Sequence, residues 1–315
     1  MKEKLKKTAI AFAASVIVYI ILSIIIDQEI INNYTAGIIK LICINIIMAL
    51  SLNLITGFTG QLALGHAGFM AIGAYTAAML TMKANFPFLL ALIAGGIFTA
   101  VISFVIGVPT LKLKGDYLAI TTLGFCQIIS VIIQNIPATG GAAGLVGIPP
   151  KASLAWVYFS MVVTAIIIYN VVNSSQGRAM ISVREDEIAA EAMGVNTTKY
   201  KIMAFVIGAF FAGFAGGLYA HYIMFLDPKQ FDFLKSTDYV VYVVLGGLGN
   251  IPGSIISASV LTYLPEGLRG FGDFRMVVYP VLLIVIMLLN AKGLSLNKLL
   301  KRKTSVKGGK PNGAA

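Results

Sequence analysis

Apolar runs that are almost free of charge recur along the whole chain, at 8–26, 37–55, 62–82, 88–108, 117–134, 154–172, 202–225, 237–248, 253–264 and 276–290. A helix needs roughly 20 such residues to cross a bilayer, and most of these runs meet that length. The expectation is an all-α, polytopic membrane protein with about 8 to 10 transmembrane helices. Composition agrees: 58% of residues are hydrophobic and 12% charged, against roughly 25% charged in an ordinary soluble domain. Residues 1–300 then form one transmembrane domain with no room for a soluble one, and 301–315 are a basic tail.

The net charge of +11 does not indicate nucleic acid, because its Lys and Arg are concentrated at the chain ends and in short loops. Placed on alternate sides of the crossings, Lys2 to Lys7, Lys112, Lys114, Arg178, Arg184, Lys199, Lys201 and the tail from Lys292 fall together. They hold 17 of the 24 basic residues. The opposite side holds Asp27, Glu29, Asp227, Asp232, Glu266 and Asp273. By the positive-inside rule both termini face the cytoplasm. The N-terminal apolar run continues to Ile26 and reads as an uncleaved first crossing rather than a leader. At 237–264 two short runs flank GGLGNIPG, which fits either two tilted crossings or a re-entrant hairpin.

The interior lacks the chemistry of a proton-driven pump, since all 13 acids lie in loops or at the ends of crossings, Asp116 and Asp238 being nearest to a span. No phosphate-binding loop is present, as Gly308-Gly309-Lys310-Pro311 lacks both the spacing and a following helix. Cys43 and Cys126 sit within apolar runs without metal or disulfide spacing. His66 and His221, far apart in sequence, read as hydrogen-bonded structural residues. No metal, no catalytic cluster and no cofactor of its own are expected.

Glycine gives a more specific signal. The stretch from Asn53 to Tyr75 carries Gln61 and His66 among Gly57, Gly60, Gly65, Gly68 and Gly73. A second stretch places Gly208, Ala212, Gly216 and Ala220 in one row at four-residue spacing, with Ala209, Gly213 and Gly217 beside it. Such rows let helix backbones approach closely in lipid. They also suit a broken helix lining a pathway, and both readings stand for Asn53, Gln61, Gly65, His66, Gly68, Gly213 and Gly217. The triplet AGF, at 67–69 and 212–214, hints at an internal repeat.

One loop differs from the others: QGRAMISVREDEIAAEAMGVNTTKYK, Gln176 to Lys201. Ser182 and Glu185 have the spacing of a capping box, and Gly194 is placed to end the helix they would open. This helix of about three turns is acidic where a helix lying on anionic lipid is usually basic, so it reads as a protein-docking element.

With these residues the chain resembles the LivM-type permeases of branched-chain amino acid ABC importers, whose relatives include urea importers. The likeness covers about residues 37 to 296. It rests on SLNLITGFTGQLALGHAGFMAIGAYTAA (51–78), KGDYLAITTLGF (114–125), TGGAAGLVGIP (139–149), GRAMISVREDEIAAEAMGVNTTKYKIMAF (177–205), GGLGNIPG and KGL (292–294). AAEAMG resembles the coupling loop of importer permeases. The resemblance implies an ABC importer permease fold, a bacterial cytoplasmic membrane location and an assembly. A homologous LivH-like permease would share the pathway, two cytoplasmic ABC ATPases would hydrolyse ATP, and an extracytoplasmic binding protein would deliver an amino acid substrate to the loop at 136–153. Glu187, Glu191 and Gly194 would belong to the ATPase-coupling loop, flanked by Arg178 and Arg184. Departures at Gln127 and at Asn290-Ala291 leave subfamily and substrate open among Leu, Ile and Val, another amino acid, urea or a sugar. A channel or secondary transporter would also explain the apolar runs, but gives the acidic loop no task.

Overall fold

The computed structural model describes residues 32–111, 113 and 115–274, with parts of 15–24 and 277–288. The expected crossing at 276–290, most of that at 8–26, and the tail therefore lie wholly or partly outside the described residues. The chain divides into two compact units, Met1–Tyr263 and Leu264–Ala315.

Helix α1, Asn33–Leu52, runs straight into a π-helical turn, Asn53–Phe58. After an irregular stretch come α2, His66–Lys83, α3, Phe88–Thr110, and α4, Asp116–Asn135. Then follow α5, Leu154–Val172, two short helices α6, Ser175–Glu185, and α7, Glu187–Ala192, and the long α8, Thr197–Ile223. Helices α9, Phe233–Gly246, and α10, Ile251–Gly267, close the series, with a 3-10 turn at Arg269–Phe274. Among the described residues the strands are two-residue pieces, Leu145–Val146 (β1) antiparallel to Phe225–Leu226 (β2).

Five of the described helical stretches are long and apolar enough to cross a membrane: Tyr34–Phe58, Phe88–Thr110, Asp116–Asn135, Leu154–Val172 and Thr197–Ile223. The crossing expected over 62–82 begins only at His66, because Gly60 turns the chain at positive φ, +75°. The segment at 237–264 resolves into α9 and α10, of 14 and 17 residues, joined by the turn Gly247–Asn250. At 1.5 Å per residue they span about 21 and 26 Å, each short of a roughly 30 Å bilayer core. Asp238, expected at a helix boundary, sits in the second turn of α9, which starts at Phe233.

Side-chain caps open α5, α8 and α9. Ser153 accepts a hydrogen bond from the Trp156 N–H, Asn196 from Lys199 and Asp232 from Lys235. Helix α8 packs against α1, α2 and α3. The glycine rows meet each other there: a Cβ on Gly73 would lie 2.0 Å from the Gly213 carbonyl oxygen, and one on Gly216 would lie 2.0 Å from that of Met70. Large apolar side chains line the outside instead, including Phe98, Val101, Phe104 and Val105 on α3. That inversion suits lipid, where close packing of small residues rather than apolar burial holds helices together.

Gly73→Ala should destabilise the bundle by about 1–3 kcal/mol, since its Cβ would meet Gly213 backbone, which cannot yield as a flexible side chain does, and Gly213→Ala by a similar amount, since its Cβ would meet Oγ1 and Cβ of Thr99 at 2.3 and 2.6 Å. The measurement is the Tm of the purified protein in detergent. Gly124→Ala, within α4, is the control: a Cβ there meets nothing within 4 Å, and the Tm should not fall, since alanine also favours the helix.

Candidate coupling site

The polar loop is built from its caps. Ser174 opens α6 by accepting from the Gly177 N–H at 3.2 Å, and the helix runs through Ser182 to Glu185. Ser182 is interior to α6, its hydroxyl donating to the Ala179 carbonyl. The expected capping box at Ser182 and Glu185 is therefore absent, and the expected single helix is two. Asp186 is the cap: its Oδ1 accepts from the N–H groups of Ile188 at 2.9 Å and Ala189 at 3.0 Å. An extended aspartate that satisfies two free N–H groups starts a new helix better than a serine that α6 has already absorbed.

The other end of α7 follows expectation. Gly194 has φ +81°, its N–H donates to the Glu191 carbonyl and the Val195 N–H to that of Ala190, which is the paired closure that favours glycine. The two acids of α7 face the start of α8. Glu187 pairs with Lys201 at 2.6 Å, and Glu191 accepts from the Thr197 hydroxyl at 2.6 Å. This leaves Ile188 and Met193 outward, 76% and 84% exposed. Two large apolar side chains thus stand exposed on an otherwise polar loop. Arg178 lies exposed on α6, its backbone N–H donating to the Ser174 carbonyl at 3.2 Å.

Arg184 points inward instead. Its Nη1 donates to the Gly57 carbonyl at 2.8 Å, while Nε and Nη2 both reach Glu185 Oε1. Beside it a cleft of about 300 Å³ opens between Thr59, Gln61, Asp116, Glu185 and Lys201. One turn before Gly57, Asn53 is 1% exposed. Its Oδ1 accepts from the Gly249 N–H at 2.9 Å, and its Nδ2 donates to Ser254 Oγ at 2.9 Å and to the Asn250 carbonyl at 3.3 Å.

The remaining predicted residues lie within the bundle. A Cβ on Gly65 would fall 1.9 Å from the Thr122 carbonyl oxygen, and Gly68 abuts Cys126 on α4. Gly213 meets Thr99 on α3, and Gly217 meets Leu92; α8 is unbroken through both. His66 Nε2 bonds Ser51 Oγ at 2.8 Å. Because the Ser51 hydroxyl donates to the Met48 carbonyl, His66 supplies the proton and its Nδ1 is an acceptor without a partner among the described residues. Both amide atoms of Gln61 and the Thr56 hydroxyl are likewise buried and unpartnered. His221 differs, holding the Thr81 hydroxyl and the Gly217 carbonyl, each at 2.8 Å.

Asp186 and Gly249 were not singled out in the sequence, and Gly57 was read only as one of a row of small residues. Asp186 is readable in retrospect as an aspartate before EIAAEA. The meeting of Gly57 with Gly249 is long-range and has no local signal.

An apolar-faced, glycine-packed helical bundle carrying a capped polar loop is a polytopic membrane protein. Comparison specifies which kind. Residues 34–289 match the family described as branched-chain amino acid transport system / permease component, and the chain belongs to it. It is 33% identical over 258 residues to the high-affinity branched-chain amino acid transport system permease protein LivM of Salmonella typhimurium, across 71% of this chain and 61% of that protein. LivM of Escherichia coli gives the same figures. LivH of Escherichia coli is 30% identical over 145 residues, 45% of this chain and 46% of that one. The chain thus spans about three-fifths of the length of the LivM relatives. No solved structure matches.

Replacing Asp186 by Ala should destabilise α7 by about 1 kcal/mol. Limited proteolysis in detergent should then cut within 186–196 faster than in the parent, while Ser182→Ala leaves the rate unchanged.

Proposed function

We propose that this chain is a permease subunit of an ATP-driven importer for branched-chain amino acids. The observation that carries the reading is the family match across residues 34–289, reinforced by relatives that transport branched-chain amino acids by name. In this reading the chain forms the pathway with a homologous LivH-like subunit and receives leucine, isoleucine or valine from an extracytoplasmic binding protein. Two ATPases on the cytoplasmic side bind the α6–α7 loop and supply the work. Both termini and this loop face the cytoplasm, in keeping with the clustering of Lys and Arg. ATP is bound and hydrolysed by the partners, and this chain contributes a docking face and a passage.

The loop geometry suits such a role. With Glu187 and Glu191 engaged by α8, α7 is held as a preformed knob whose apolar residues are free to enter a groove. Force applied to it is delivered to the start of α8.

The reading is tested by uptake of labelled leucine and labelled urea in the native cell with and without this gene. Loss of leucine uptake alone is expected. Loss of urea uptake alone would move the chain to another substrate, and no change in either, in cells without a redundant importer, would reject the assignment. Glu191→Ala and Gly194→Val should each lower leucine uptake, by about fivefold or more, while immunoblots show the subunit still in the membrane. Normal uptake in both would remove the loop from the coupling role.

A further inference from the structure

Three elements remote in sequence meet at one point: the end of α6, the π-turn after α1, and the turn between α9 and α10. Arg184 donates to the Gly57 carbonyl, and Asn53, in the same π-turn, holds Gly249, Asn250 and Ser254. The fit leaves no spare room. A Cβ on Gly249 would lie 2.7 Å from Arg184 Nη1 and 3.2 Å from the Gly57 oxygen, and one on Gly57 would lie 2.4 Å from the Gly249 nitrogen. Gly249 also has φ +75°, a backbone state that disfavours a side chain. Across the hairpin, a Cβ on Gly253 would fall 1.8 Å from the Gly246 oxygen, so the ends of α9 and α10 at the turn move together.

We infer that Arg184 and Asn53 are positioning residues of a polar strut that carries displacement of the α6–α7 loop into the α9–α10 hairpin. This inference rests on the proposed function and names a route for it. A guanidinium is suited to the task, because its planar fork fixes direction as well as distance. Arg184 holds Glu185 with one edge and Gly57 with the other, so a shift of α6 pulls on the π-turn. Single π-helical turns are rare and recur at functional positions. Asn53 hands the movement on through hydrogen bonds, which can exchange partners where apolar packing merely slides. The route bypasses α7 itself, so the docking face and the strut are separable by mutation.

The test uses the complete transporter in proteoliposomes, with ATP hydrolysis and leucine uptake measured in the same vesicles. Arg184→Ala, Asn53→Ala and Gly249→Ala should each lower leucine transported per ATP by about tenfold, with hydrolysis held within about twofold. The combined Arg184→Ala and Asn53→Ala variant should be no worse than the worse single change, because both interrupt one path. Arg184→Lys should recover part of the ratio. Hydrolysis and uptake falling in parallel would make the residues structural, and multiplicative losses would place them on separate paths; either result overturns the strut. A second measurement stands apart from substrate identity. In the purified chain, amide hydrogen exchange of 247–256 should rise in Arg184→Ala while that of α5 does not, and unchanged exchange would overturn the strut directly. If the unaltered complex takes up no leucine, the proposed substrate fails, and the exchange experiment still decides the strut.

Discussion

A bilayer offers no water to a broken helix, so each peptide group released between Asn53 and His66 must find a partner in the protein. The chain meets this demand by drawing other elements to the break. The Leu54 carbonyl takes the Thr59 hydroxyl, the Ile55 carbonyl takes the Gln61 N–H, and the Gly57 carbonyl takes Arg184. On the donor side the Leu64 N–H reaches Thr122 on α4, and the Ala67 N–H reaches Ser236 on α9. Helices α4, α6 and α9 are thereby fixed relative to α1 and α2 by polar bonds. The bonds from Thr59 and to Ser236 are buried, whereas that to Thr122 and that from Arg184, beside the polar cleft, are partly buried.

The two glycine-rich stretches solve different problems. Around α8 the small residues make contacts with α2 and α3 that a single methyl group would block, and the helix stays regular. Between α1 and α2 the helix gives way, and Thr56, Gln61 and His66 retain buried groups with no partner among the described residues. The polar loop touches the second through Arg184 and the first through the Glu187–Lys201 pair at the base of α8.

Much of this was legible in the sequence. Apolar run length gave the helices α3 and α5 to within two residues and α8 apart from its polar first turn, which begins at Thr197 rather than 202, and four-residue glycine spacing marked the face of α8 that packs. Gly194 was readable as a helix end because only its local backbone state matters. The failures share a cause. The Ser182 and Glu185 pattern was outcompeted by a better cap four residues from Ser182, and the start of α2 was shifted by a glycine turn that apolarity conceals. The junction of Gly57, Asn53, Arg184 and Gly249 depends on groups 127 and 196 residues apart, for which no short-range pattern exists.

The most direct measurement is site-specific cross-linking in native membranes. Cys43 and Cys126 are both buried, so an introduced cysteine reports on its own position. Met193→Cys, at the exposed residue that follows α7, should cross-link to an ATPase subunit, and Val146→Cys on β1 should not. A cross-link from residue 146 and none from 193 would contradict the account, because the docking face would then lie away from the loop that the helix bundle holds ready.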